Sequence, residues 1–108
     1  MNEARCHLLL IEILRLTKEH RRTPRPEGHG QGAAKVEYDQ VAAFGPRTAT
    51  LSGGNLTGAG RTMLSRDLRT VEAEGLVELT RAGPFAERIT NVTLTAEGEQ
   101  VAITARDG

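Results

Sequence analysis

Residues 58–79, GAGRTMLSRDLRTVEAEGLVEL, predict an α-helix that ends at a glycine and leads directly into a strand. Leu64, Leu68 and Val71 recur at helical spacing, which places them on one face that can pack against a core. Gly75 stands just beyond the predicted helix, where a glycine can adopt positive φ and end it. Because β-prone residues follow this glycine, we predict that the helix is succeeded at once by a strand.

The opposite face of this helix, predicted over residues 59–74, carries guanidinium and hydroxyl groups. They belong to Arg61, Thr62, Ser65, Arg66 and Arg69. Such groups suit contacts with the phosphates and base edges of duplex DNA. The alternative is a solvated helix face on which Arg69 pairs with Glu72 or Glu74. The helix pattern alone does not decide between these interpretations.

Residues 4–22 predict an N-terminal helix whose apolar arc spans more than half of its circumference. One interpretation is that this is simply the most buried helix of the domain. The other is that one flank of the arc covers the core and the second flank covers a second subunit, with Leu10, Ile11 and Leu14 meeting their own copies in a homodimer.

Two stretches interrupt the helical pattern. Residues 23–34 and 45–58 are rich in glycine, and the first also contains two prolines, so both are predicted to be flexible loops. Between them, Val36 is predicted to make a short strand contact, and residues 38–44 predict a short second helix. Within the second loop, Thr48–Leu51 is a candidate strand.

The C-terminal part of the chain predicts a hairpin and a last helix. Residues 76–81 and 88–95 have the composition of two antiparallel strands joined by a turn, although the alternation of side chains is imperfect at Thr90-Asn91. Thr95 can then cap a final helix over residues 96–105.

The segments SRDLRTVEAEGLVEL at 65–79 and VTLTAEG at 92–98 resemble the recognition helix, first wing strand and post-wing segment of MarR-like and PadR-like bacterial transcription regulators. The chain departs from that pattern in the expanded turn at 45–58 and in lacking the Asp-x-Arg of many such wings. The resemblance implies a winged helix-turn-helix fold, which is α+β and mainly α. Residues 1–108 would form one such domain, with a three-helix core, a two-stranded β-hairpin wing and a short C-terminal helix.

In a protein of this kind the helix face described above meets the major groove of DNA. Arg81 and Arg88 flank the predicted wing tip, where they can reach the adjacent minor groove or its phosphates. The alternative is that these two arginines form cross-strand charge pairs with Glu78 and Glu87.

We therefore predict sequence-specific binding of double-stranded DNA by a repressor-like transcription regulator that acts as a homodimer. Two alternatives stay open. The first is a winged-helix module that binds protein, which the formal net charge of +0 and the acidic residues Glu72, Glu74 and Glu78 favour. The second is an architectural or partition DNA-binding protein of a plasmid or phage.

Other functional classes find little support in the sequence. No nucleophile stands beside a base, so we expect no enzymatic activity and no cofactor. The spacing of Cys6, His7, His20 and His29 matches no zinc site, so we expect no bound metal. No apolar run reaches the length of a membrane span, and the single cysteine suits a reducing compartment, so we expect a cytoplasmic protein.

Overall fold

The computed structural model, which describes residues 3–27, 32–54 and 58–108, is α+β and mainly helical. In chain order the elements are α1 Glu3–Arg22, α2 Gly32–Phe44, a 3-10 helix Thr48–Gly54, α3 Gly58–Ala73, β1 Val77–Ala82, β2 Arg88–Leu94 and α4 Ala96–Asp107. The predicted N-terminal helix, central helix, hairpin and final helix are therefore confirmed, each within two residues of its expected ends.

The core lies where α1 runs along α4 and where α3 and the hairpin close over α1. Its buried side chains are almost all aliphatic, as the scarcity of aromatic residues requires. They are Cys6, Leu9, Leu10, Ile13, Leu14, Leu51, Leu68, Val71, Val77, Val92 and Ala102. Leu64, predicted to face this core, packs against it but stays half-buried.

This core accounts for most of the wide apolar arc of α1. Leu10 is 0% exposed and Leu14 is 2% exposed within a single chain, so neither side chain is available to the second subunit proposed for it from sequence. Ile11 is half-buried, and the large apolar side chain that α1 presents to solvent is Leu8, at 67% exposure. The prediction that Leu10 and Leu14 face a second subunit is wrong because helical periodicity does not show how much of an apolar arc the neighbouring elements will cover.

The hairpin contains a β-bulge at the point where the sequence alternation is imperfect. Thr80 pairs with Asn91, but the next residue of β1, Arg81, pairs with Ile89, so Thr90 is an extra residue on β2. Beyond the bulge, Val92 is completely buried in the core. Asn91 lies on the opposite face of the strand, where it is also buried and its Nδ2 donates a 2.8 Å hydrogen bond to the carbonyl of Gly45, just after α2.

The end of α3, the hairpin and α4 are joined through backbone contacts around Thr95. Gly75 ends α3 with a φ of 76°, as predicted. Thr95 Oγ1 donates to the Gly75 carbonyl at 2.7 Å and accepts from the Gly98 N–H at 3.1 Å, which makes Thr95 the N-cap of α4. A Cβ atom on Gly98 would collide with the carbonyl of Leu76. The Leu-Thr-x-x-Gly segment therefore exists because this junction needs a cap and a residue without a side chain.

The two predicted loops are more ordered than expected. Residues 32–34 already belong to α2, and Val36 lies inside that helix and makes no strand contact. Thr48–Leu51, the candidate strand, begins the 3-10 helix instead, and Leu51 is completely buried. The prediction of a loop is thus wrong for residues 32–34 and 48–54, while residues 28–31 and 55–57 lie outside the described residues.

α2 is the exception to this packing, because none of its side chains is buried. The hairpin holds its C-terminal end through polar contacts, and Tyr38, in the middle of the helix, donates a hydrogen bond to the carbonyl of Thr23 in the chain before it. None of the helices in the described ranges combines the length and apolar character that crossing a membrane requires.

Candidate nucleic-acid interface

α3 presents the polar face that its sequence predicts. Leu68 and Val71 are buried on one side, and Arg61, Thr62, Arg66 and Arg69 are exposed on the other, with Ser65 half-buried between them. This exposed face is a shallow, open surface. It is formed by Thr62, Arg66, Arg69, Thr70, Ala73 and Glu74. The structure therefore brings the two central arginines and two hydroxyl groups, those of Thr62 and Thr70, onto a single exposed surface.

The first acidic side chain of α3 is bound by an arginine from α1. Asp67 is buried, and both of its carboxylate oxygens accept hydrogen bonds from Arg5, from Nε at 2.7 Å and from Nη2 at 2.9 Å. This hydrogen bond, followed by the carboxylate's charge, raises the pKa of Arg5 further above its ordinary value. A two-point pair of this kind fixes the orientation of both side chains and ties α3 to α1.

The second acidic side chain of α3 is bound by an arginine from the hairpin. Arg81 Nη1 donates to Glu72 Oε2 at 3.0 Å, and Nη2 donates to Oε1 at 2.9 Å. These hydrogen bonds lower the pKa of Glu72 and raise that of Arg81, so both groups stay ionised around neutral pH. The pair ties β1, close to the hairpin turn, to the last turn of α3.

Both acidic residues within α3 are thus neutralised by arginines from other elements. Within the described parts of the chain, Arg61, Arg66 and Arg69 form no ion pair, and the sequence alternative of Arg69 with Glu72 or Glu74 is not realised. The exposed face consequently keeps three positive charges, with Glu74 as the acidic group at its far end. A chain with a formal net charge of +0 therefore has a locally positive helix face.

The hydroxyl groups on this face are oriented by the helix backbone. Thr62 Oγ1 donates to the Gly58 carbonyl at 3.1 Å, and Thr70 Oγ1 donates to the Arg66 carbonyl at 3.0 Å. Since both protons are engaged, the oxygen lone pairs are what these threonines offer to a partner. The face therefore combines guanidinium donors with hydroxyl acceptors.

The two wing arginines differ in their surroundings. Arg88 is exposed at the start of β2 and has no ion-pair partner among the described residues. Arg81 is held by Glu72, so it positions the hairpin and does not project freely toward a phosphate as the sequence suggested. The alternative of pairs with Glu78 and Glu87 is not observed either, because Glu87 Oε2 instead accepts the N–H of Phe85 at 3.0 Å.

The hairpin tip carries a residue that sequence reasoning missed. Phe85 is 89% exposed, and it stands between Gly83, with a φ of 101°, and Ala86, with a φ of 53°. Left-handed backbone at the non-glycine Ala86 is uncommon and marks a turn held in one shape. In the sequence, an aromatic residue inside a Gly-Pro turn was the available signal for this feature.

Cys6 and His20, two of the residues whose spacing was compared with zinc sites, have separate structural roles. Cys6 is buried in the core, and burial raises the pKa of its thiol. The ring of His20 packs on Tyr38 with 4.2 Å between ring centroids. In residues 3–27, 32–54 and 58–108 no three His, Cys, Asp or Glu side chains are grouped in a way that could hold a metal ion, and His29 lies outside those ranges.

Comparison of the chain with protein-family models, with curated proteins and with solved structures finds no match. The geometry of the site offers an exposed helix with unpaired arginines, and a hairpin fixed beside its C-terminal end.

Proposed function

We propose that this chain is a winged helix-turn-helix protein that binds double-stranded DNA through α3 and the hairpin, as a repressor-like regulator of transcription. The observation that carries the proposal is the neutralisation of Asp67 by Arg5 and of Glu72 by Arg81. Because other elements provide these cations, the arginines of α3 itself are left for an external anion. Phosphates and guanine edges are the partners that such a face suits best.

The arrangement of elements supports the same proposal. α3 is followed at once by an antiparallel hairpin whose first strand is tied to its last turn through Arg81, as a recognition helix is followed by its wing. The MarR-like and PadR-like sequence features fall on this junction: the Glu-Gly-Leu-Val segment ends α3 and the Leu-Thr-x-x-Gly segment begins α4. In this proposal Arg66 and Arg69 read base edges, and Arg88 contacts a phosphate.

The decisive experiment is selection of bound sequences from random duplex DNA, followed by measurement of the variants Arg66→Ala and Arg69→Ala on the selected duplex. Each substitution is expected to cost about 1–3 kcal/mol of specific binding, because a bidentate contact to a base is lost. Arg106→Ala, in α4 and away from this face, is the matched control and should bind like the wild type. Wild-type affinity in both α3 variants would show that α3 is not the recognition helix.

The wing arginine is tested by salt dependence. Arg88→Gln is expected to weaken binding to all duplexes alike and to reduce the slope of log affinity against log salt by about one unit, because one phosphate contact is removed. A change in sequence preference with an unchanged slope would contradict a phosphate role for Arg88.

The homodimer belongs to the same proposal, but its surface differs from the one predicted by sequence. A two-fold contact through α1 would use Leu8 and Ile11, since Leu10 and Leu14 are enclosed in the core. Leu8→Glu is then expected to give a folded monomer with weaker DNA binding, whereas Leu14→Glu is expected to unfold the chain. Sedimentation of the wild type at micromolar concentration tests this directly, and a monomer there would remove the dimer from the proposal.

A second candidate function is a winged-helix module that binds another protein through α2. The observation in its favour is that α2 buries no side chain and leaves Val36 and Phe44 about half exposed in a chain of formal net charge +0. Failure to enrich any duplex, with no binding to bulk DNA at low salt, would favour this candidate. Binding to all duplexes without enrichment would instead indicate an architectural DNA-binding protein.

A further inference from the structure

The most exposed large apolar side chain in the described parts of the chain lies at the tip of the hairpin. Phe85 is 89% exposed, compared with 67% for Leu8 and 56% for Val36. A partner that covered this ring would remove its apolar surface from water, which is favourable.

The backbone around Phe85 is held in place. The Ala86 N–H donates to the Gly83 carbonyl at 3.1 Å, and the Phe85 N–H donates to Glu87 Oε2 at 3.0 Å. The Glu87 carboxylate lies against Gly83, where any side chain would collide with it. With Gly83 and Ala86 both left-handed, the turn holds the backbone at Phe85 in one shape and leaves the ring exposed.

The neighbours of Phe85 favour a narrow groove over a flat protein surface. Gly83, Pro84 and Ala86 are small, so the tip is slim, and the minor groove of B-DNA is about 6 Å wide and about 7.5 Å deep. Protein-binding anchors are usually surrounded by further apolar side chains that exclude water, and this tip has none beside Pro84 and Ala86. The nearest cation on the second strand is Arg88, which is exposed, and the one carboxylate at the tip, Glu87, is engaged by the Phe85 N–H.

The distance from α3 also fits. The hairpin is fixed to the last turn of α3 by the pair of Arg81 with Glu72. Phe85 is four residues beyond Arg81, which at strand spacing is at most about 13 Å, before the length of the ring is added. The adjacent minor groove lies about 17 Å from the major groove, half of the helical repeat. Once the ring is added, this reach is comparable with that separation, so the tip of a hairpin beside a helix in the major groove can extend to the minor groove.

We propose that Phe85 is an apolar wedge that enters the minor groove next to the site bound by α3 and partly unstacks one base step. The chemistry is that of architectural proteins, in which an apolar side chain inserted from the minor groove kinks the duplex. This inference rests on the proposed DNA-binding function and adds to it the class of contact made by the wing. The step that admits the wedge would be a flexible pyrimidine–purine step, since such steps unstack most readily.

The test uses the full chain and the duplex obtained by selection, with adenines next to the α3 site replaced one at a time by the fluorescent analogue 2-aminopurine. Its emission rises when the base is unstacked. The wild type is expected to raise the emission severalfold at one step. Phe85→Ala is expected to abolish the rise and weaken binding about tenfold, and Phe85→Leu, which keeps an apolar wedge, should retain most of both.

Val36→Ala, an exposed apolar residue outside the hairpin, is the matched control and should leave the emission rise and the affinity unchanged. Thermal unfolding of Phe85→Ala should match that of the wild type, because an exposed side chain contributes little to the core. If the wild type binds its selected duplex through Arg66 and Arg69 but raises no emission, or if Phe85→Ala raises it equally, the wedge is wrong and the DNA-binding function stands. If the wild type binds no duplex, both are wrong.

Discussion

α2 and α4 are helices of nearly equal length, 13 and 12 residues, yet the chain holds them in different ways. α4 begins at a threonine cap, buries Gly98 and Ala102, and lies along α1. α2 has no buried side chain. α2 has the higher apolar content of the two, yet it contributes no buried side chain to the core. Composition alone therefore does not predict burial in this chain.

What holds α2 is a set of polar contacts at its C-terminal end. Asn91 Nδ2 donates to the Gly45 carbonyl at 2.8 Å and Thr93 Oγ1 donates to the Phe44 carbonyl at 2.6 Å. The ion pair of Arg25 with Asp39 lies on the surface, where such pairs contribute little. α4 thus depends on the core, and α2 depends on its C-terminal junction with the hairpin.

The largest expected effect comes from comparing a side chain in the core with one on the exposed face of α2. The core side chain is Leu51, in the 3-10 helix that follows α2. Leu51→Ala should lower the free energy of unfolding by about 2–5 kcal/mol, because it leaves a cavity in the core. Val36→Ala, on the exposed face of α2, should change it by less than about 0.5 kcal/mol. Urea denaturation of both variants gives the comparison, and a cost at Val36 similar to that at Leu51 would mean that α2 is packed in solution.

A second comparison places alanine at one glycine of each helix. Gly98→Ala should lower the free energy of unfolding by about 1–3 kcal/mol or more, because the new Cβ would collide with the Leu76 carbonyl. That carbonyl also accepts the hydrogen bond from the Thr95 N–H, so it is not free to move away. At Gly32, the first residue of α2, nothing lies within 4 Å of an added Cβ, so Gly32→Ala should be neutral or stabilising by up to about 1 kcal/mol. Thermal unfolding measures both, and an unchanged midpoint for Gly98→Ala would contradict the described junction.

The junction of α2 with the hairpin is tested at Asn91. Asn91→Ala removes the hydrogen bond to the Gly45 carbonyl and should cost about 1 kcal/mol. Amide hydrogen exchange should accelerate at the C-terminal end of α2 more than in α4, since α2 has no buried side chain to hold it. Thr104→Ala, at an exposed position of α4, is the control. Equal acceleration in both helices would show that the two are coupled.

The smallest expected effect is a change in acid sensitivity. Arg81 lowers the pKa of Glu72 below its ordinary value of 4.5, so this carboxylate stabilises the fold above that pH and the contribution is lost as the pH falls through the lowered pKa. Glu72→Gln should therefore flatten the decline in thermal midpoint below pH 4.5. Asp39→Asn should flatten it less, because the pair of Asp39 with Arg25 is more exposed. An equal or larger effect at Asp39 would reverse this ranking.

The second half of the chain was largely predictable because its signals are local. Gly75 ends α3, Thr95 caps α4, and the composition of the strands between them gives the hairpin. Each signal acts on residues a few positions away, so it can be recognised without knowing what packs against it. Even the imperfect alternation at Thr90-Asn91 corresponds to a physical feature, the bulge, although the sequence did not reveal which residue is extra.

The sequence by itself therefore determined the elements from α3 to α4 and the polar face that α3 presents. Only the tertiary structure decided which arginines on and around that face are free. Arg5 and Asp67 are 62 positions apart and meet because α1 and α3 share a core, while Arg81 reaches Glu72 because the hairpin folds back on α3. Likewise, Leu51 is buried although it lies in a glycine-rich stretch, and Leu8 is exposed on a leucine-rich helix. Burial and pairing depend on which distant surfaces meet, and helical or strand periodicity carries no information about that.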